Sequence, residues 1–228
     1  MIFSKSKILS GVGILVIIAI AVGIFWWQKN QPKLVKHLDR HLNAAQTELL
    51  QKQLDQAKQA LKNLPKDATD KDKFLAYIQV AAQNFALGNL VESRSAYESA
   101  AKAVPDNPTP WEELYEVEIN MQDYQAANKS IDKAIELNPS RVPSWQAKLT
   151  VEQTYLKAPE DQLETIYKQA IDKTNFVEFI ATYADLLSQH GKLSESRDYW
   201  KRAVELAPTN DLYQSYNQSL QAVEAKLK

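Results

Sequence analysis

Three segments of the chain say nearly the same thing at regular intervals, and this recurrence limits the possible folds more than any other feature. "AYESAAKAVPDN" occupies residues 96–107, "SIDKAIELNPSR" residues 130–141 and "YWKRAVELAPTN" residues 199–210. Each sets a large side chain before an alanine, an aliphatic residue and then a proline. Pro105 and Pro139 are 34 residues apart, and Pro139 and Pro208 are two such periods apart with one extra residue. A period in this range marks an array in which each repeat buries its apolar face only against its neighbours.

Aligned on the prolines, the units are 74–107, 108–141, 142–176 and 177–210, and each reads as two helices. In the first helix Tyr77 falls with Val80 and Ala81, Trp111 with Leu114 and Tyr115, Trp145 with Leu149, and Ile180 with Tyr183 and Ala184. Spacings of three and four put these residues on one helical face. A turn follows at Gly88-Asn89, Gln122-Asp123 or Gly191-Lys192, where glycine suits the left-handed conformation that ends a helix. The second helix carries a small residue, a large one four later and an alanine three beyond: Ser93, Tyr97, Ala100; Ala127, Ile131, Ala134; Ser196, Trp200, Ala203. Small residues let helices approach and the large one fills the gap between them. With 5 glycines in 228 residues, the composition also favours helix over a turn-rich β architecture.

This order of aromatic, aliphatic, small and proline residues resembles the tetratricopeptide repeat family, in the form of a membrane-anchored bacterial member. The resemblance implies an all-α solenoid of antiparallel helix pairs. The unit at 142–176 departs from the pattern, with an insertion around "KAPED", a second helix carrying Leu163, Tyr167 and Ala170, and Asn175 in place of the closing proline. Residues 31–73 are expected to hold a degenerate hairpin at 33–65, stopped by Pro65, and the linker "PKDATDKD". Residues 211–228 are expected to form a capping helix through Leu212, Tyr216, Leu220, Val223 and Leu227, covering the open side of the last repeat.

Residues 1–30 read differently. Ile8 to Trp27 is a run of twenty residues without a charge, about 30 Å of helix and so the thickness of a bilayer core. Trp26 and Trp27 close it where aromatic rings favour the interface. We expect a single transmembrane anchor at 8–27. Ala19-Ile20-Ala21 has the small-x-small form of a signal-peptide cleavage site, but cleavage there would leave "VGIFWW" as an apolar new terminus. Lys5 and Lys7 lie on one side of the run, and Lys29, Lys33, Lys36 and Arg40 on the other, so positive charge barely sets the direction. A very short tail before a span is the layout of a bacterial signal anchor, and the expected location is the inner membrane with the body on the periplasmic side. Residues 1–40 carry six basic side chains and one acidic one, +5 in sum. The whole chain carries −1, which leaves −6 for the rest. An acidic body argues against a nucleic-acid surface, and the absence of cysteine excludes disulfides and thiolate metal sites.

Little in the sequence points to catalysis. His37 and His41 stand at i and i+4 and could offer two ligands from one helix face, but no third of suitable type accompanies them. His190 precedes the turn glycine Gly191, where a polar cap is expected. No serine elbow, P-loop or metalloprotease helix appears. No cofactor, metal or small-molecule substrate is expected, and no enzyme activity.

The resemblance instead implies a partner peptide or protein segment lying along the concave face of the first helices. Carried onto this sequence, the contact positions include Ile78 and Phe85; Glu112, Glu116, Ile119 and Asn120; Gln146 and Thr150; and Glu178, Asp185 and Gln189. The first pair is apolar, the others polar or acidic, and none is basic, so a partner segment should be neutral or basic. In an alternative, the apolar pair packs on the hairpin at 33–65. The expected function is a membrane-anchored protein interaction scaffold or chaperone-like adaptor, as in cytochrome c maturation, pilus or secretion assembly. The alternative function is a structural spacer subunit of a larger membrane complex, its groove filled by its own helices.

Overall fold

Side-chain caps at Asn43, Thr69, Asp123 and Thr209 set four of the helix starts. The computed structural model describes residues 33–228, and among them are ten α-helices and one π-helical turn. Asn43 opens α1 (Ala44–Lys62) with a reciprocal box: its side chain accepts from the Gln46 amide, and Gln46 accepts from the Asn43 amide. Thr69 and Asp72 make the same box at the start of α2 (Asp70–Ala86). The array continues through α3 (Leu90–Ala103), α4 (Thr109–Asn120), α5 (Tyr124–Leu137) and α6 (Val142–Thr150). The π-helical turn Val151–Leu156 runs on directly from α6. Then come α7 (Glu160–Thr174), α8 (Val177–Gln189), α9 (Leu193–Leu206) and α10 (Asn210–Lys226).

Short turns fold each helix back on the one before, and the main packing contacts join helices adjacent in sequence. The α2–α3 and α8–α9 turns use Gly88 at φ 81° and Gly191 at φ 76°. Gln122 takes φ 62° at the equivalent place, and Asp123 then caps α5 through the Ala126 amide. The repeating triplets of the second helices are all buried. Ala100, Ala134, Ala170 and Ala203 are 0% exposed. Each therefore marks a point of closest helix approach, where a larger side chain would force the helices apart. The small residue opening the triplet adds a tie where it is serine, since Ser93 Oγ donates to Ala81 O at 3.0 Å and Ser196 Oγ to Ala184 O at 2.6 Å.

The unit at 142–176 breaks α geometry where its sequence breaks the pattern. Its first helix ends in the π-helical turn, the form taken by a residue inserted into an α-helix. Lys157 then reverses the chain in the left-handed region at φ 55°. Asn175, at φ 48°, ends α7 in the same conformation, which asparagine tolerates better than most residues. At the far end α10 buries Tyr216 and Val223 and half-buries Leu212 and Leu220, while Leu227 stays 40% exposed and does not join the packed stripe.

The segment 33–65 differs from the expected hairpin. It contains one helix, α1, which buries only Leu54 and Ala57, and residues 35–40 before it form an extended strap. A helix cannot start earlier: His41 sits at φ 51°, and Asp39 Oδ1 accepts from the His41 amide at 2.7 Å. The strap's backbone groups pair with the repeat turns instead. Val35 N donates to Met121 O at 2.9 Å, Leu38 N to Gly88 O at 2.9 Å, and Leu90 N to Lys36 O at 3.2 Å. His37 and His41 therefore share no helix face; His37 lies opposite Asn89, and His41 Nδ1 lies 3.3 Å from Asp39. The expected membrane span at 8–27 lies outside the described residues, among which no helix is long and apolar enough to cross a membrane.

Candidate protein-binding groove

The first helices of the last two units, α6 and α8, leave a channel of about 260 Å³ between them. Its floor is apolar, made by Leu149, Tyr167 and Phe179, and its rim is polar, made by Gln146, Thr150, Gln153, Thr154, Glu178 and Thr182. Gln146, Thr150 and Glu178, expected on one surface, come together here. Thr150 Oγ1 donates to Gln146 O at 2.8 Å and Thr182 Oγ1 to Glu178 O at 2.7 Å. With their protons committed to the helix, both hydroxyls face the channel as acceptors. No lysine or arginine lines it. A neutral or cationic donor fits such a rim, and an anion does not. Asp185 and Gln189 continue along α8 outside the channel lining, joined to each other at 2.6 Å.

The unit at 108–141 distributes its expected contact residues differently. Glu112 is already engaged, because its carboxylate accepts from Arg141 Nε and, at 2.7 Å, from Ser144 Oγ. It pins α4 to the start of α6. Glu116 keeps an exposed side chain, and desolvation together with nearby Glu113 holds its carboxyl above the ordinary value. Asn120 donates to Glu116 O at 2.7 Å. Ile119 is half-buried and packs against the core formed by Tyr115, Ala127, Ile131, Ala134 and Val151. Beside it the π-helical turn lays Tyr155 on Tyr124, ring centroids 4.4 Å apart.

Ile78 and Phe85 in the first unit are half-buried. Phe85 is covered by the strap: the Arg40 guanidinium lies 4.3 Å above its ring, and Arg40 Nε donates to Phe85 O at 3.3 Å. The cation-on-ring geometry is favourable in itself.

Residues 116–141 match the family model described as tetratricopeptide repeat. Among solved structures, a tetratricopeptide repeat protein from Parabacteroides merdae aligns with a TM-score of 0.52 at 16% identity, over 78% of this chain and 72% of that one. MamA aligns with a TM-score of 0.50 at 15% identity, over 72% of this chain and 94% of MamA. Residues 116–141 thus carry a tetratricopeptide repeat, and the chain has the fold of such repeat arrays. At these identities the structural likeness establishes the fold alone.

One feature of the helical array is not evident from the sequence. Asn84, Glu118 and Glu152 occupy the same place in three successive units and are 1%, 3% and 3% exposed. Glu118 accepts from Ser130 Oγ at 2.6 Å and faces Arg94 at 3.2 Å, while Arg94 also serves Glu98 and Asp123. Burial outweighs these partners and pushes the Glu118 carboxyl up to about 7. Glu152 is better supplied, with Asn128 and Gln162 each donating at 2.9 Å and Lys148 at 3.0 Å. The third unit boundary carries Glu164, whose carboxyl is held below its ordinary value, first by the hydrogen bond from Lys192. Three polar residues one period apart, at positions 84, 118 and 152, were the available signal.

Proposed function

We propose that the array is a protein interaction scaffold that receives an extended segment of a partner protein along the face of its first helices. The observation carrying this reading is the channel between α6 and α8, with an apolar floor, acceptor-rich rim and no basic side chain. It suits a neutral or basic segment with apolar side chains directed to Leu149 and Phe179. The proposal extends to location. Residues 8–27 anchor the protein in a bacterial inner membrane, the body lies on the periplasmic side, and the role is assembly or chaperone-like, without catalysis. The charge-free run and its terminal tryptophans support the anchor.

The test is photocrosslinking in intact membranes. A benzophenone side chain at Thr150 should give a discrete adduct that Glu178→Lys abolishes, while the same group at Glu136, on a second helix, should give none. Equal yields from both positions would place the partner elsewhere. The spacer reading keeps specific support in the first two units, where Arg40 covers Phe85 and Arg141 occupies Glu112. Absence of any adduct at Thr150 would favour it.

A further inference from the structure

The strap makes backbone hydrogen bonds to partners far away in sequence. Residues 35–40 cross the turns of the first two units: Val35 N reaches Met121 O in one, and Leu38 N and Lys36 O pair with Gly88 O and Leu90 N in the other. His37 and Asn89 form an antiparallel bridge. The receiving turn is shaped for this contact. Gly88 is buried, and a Cβ there would lie 1.9 Å from Leu38 O. Gly191 holds the same place in the last unit with a similar φ, yet its Cβ would meet nothing within 4 Å. Both turns need glycine for the left-handed backbone, but only Gly88 needs it for an approaching chain.

The hold is nevertheless light. None of residues 35–40 is fully buried, Lys36, His37 and Asp39 are exposed, and α1, which follows, buries only Leu54 and Ala57. Segments with few buried apolar contacts open far more readily than a core. The strap also ends on a groove position, because Arg40 covers Phe85. We propose that residues 35–40 are a releasable strap: docked, it clamps the first two turns together and closes Phe85; released, it uncovers Phe85 as the apolar end of the groove. Whatever engages the chain upstream of Val35 then acts on the groove. The consequence for partner binding rests on the groove reading above, while the release itself does not.

The test uses the full chain in detergent micelles. The protein has no cysteine, so His37→Cys with Asn89→Cys gives a clean lock across the bridged pair. By hydrogen exchange, the Val35 and Leu38 amides, which the strap itself donates to Met121 O and Gly88 O, should exchange at least tenfold faster than helical amides around Ala134. Oxidising the cysteine pair should slow them tenfold or more, and reduction should restore them. In protein labelled with 4-fluorophenylalanine, the Phe85 resonance, identified by its loss in Phe85→Leu, should move in Gly88→Ala. It should move the same way in Arg40→Gln, which leaves the turn intact and so decides the matter if Gly88→Ala disturbs folding of the first unit. Exchange as slow as in α5, or an unmoved Phe85 signal in Arg40→Gln, overturns the releasable strap. A benzophenone at Ile78 should capture the partner better in the reduced than in the oxidised pair. Equal yields overturn the coupling. If Thr150 also yields no adduct, it is the groove reading that has failed, and the strap stands or falls on exchange and fluorine signals.

Discussion

Glu118 should make the body less stable as the solution passes from mildly acidic to mildly alkaline. Its carboxyl is buried between α4 and α5, and its folded value is raised from 4.5 to about 7. Between those limits the folded state holds a proton that the unfolded chain has released, so the unfolded state binds fewer protons and stability falls with rising pH. The favourable contribution is complete below about 4.5 and lost as the pH rises through 7. A pKa difference of one corresponds to about 1.4 kcal/mol, so the full effect is on the order of 3 kcal/mol. For a chain of this size that corresponds to a fall in melting temperature of roughly 6–12 °C.

Glu118→Gln keeps an acceptor for Ser130 Oγ and removes the titration. Thermal unfolding followed by tryptophan fluorescence, on the full chain at pH 5 and pH 8, should show a clearly smaller fall in the variant than in the native protein, with Glu116, whose carboxyl is also raised, supplying what remains. Glu164 titrates in the opposite sense, its stabilising contribution being lost as the pH falls through its lowered value, and so stays outside this window. If the variant keeps the native slope between pH 5 and pH 8, Glu118 is not the group responsible and its burial does not have the stated consequence.

Three further outcomes follow from packing and turns. Ala134→Asp or Ala203→Asp places a carboxylate where no surface is exposed and should cost several kcal/mol in urea unfolding; unchanged midpoints would mean the helices do not touch there. Gly191→Ala meets open space and should cost only about 1 kcal/mol for the left-handed backbone, measured by the same unfolding. Arg94→Met removes the one cation shared by Glu98, Glu118 and Asp123 and should destabilise by about 3 kcal/mol at pH 8 and clearly less at pH 5; equal losses at both values would refute the charge argument.

What the sequence revealed and what it hid divide along a physical line. The buried triplets were legible because small, large and alanine residues at fixed helical spacing have one economical use, the close approach of two helices. The irregular third unit was legible as irregular, since an extra residue must go somewhere, though nothing in "KAPED" specifies a π-helical turn. Glu112 and Glu116 looked alike, two acidic residues one turn apart, because alignment to a repeat assigns position without the partner across the interface. Only the fold brings Arg141 and Ser144 onto the first and leaves the second free of such a clamp. Charge reversal at Glu112 would therefore confound loss of recognition with loss of the tie between α4 and α6, and Glu116 with Glu178 is the pair to change. The strap was the least legible element. Its course answers to backbone groups at Gly88, Leu90 and Met121, and no local periodicity records a hydrogen bond made fifty or more residues away. Glu118 escaped for a related reason. An acidic residue on an amphipathic helix reads as solvated, and only packing of α3 and α5 against α4 turns it into a buried group whose ionisation opposes folding.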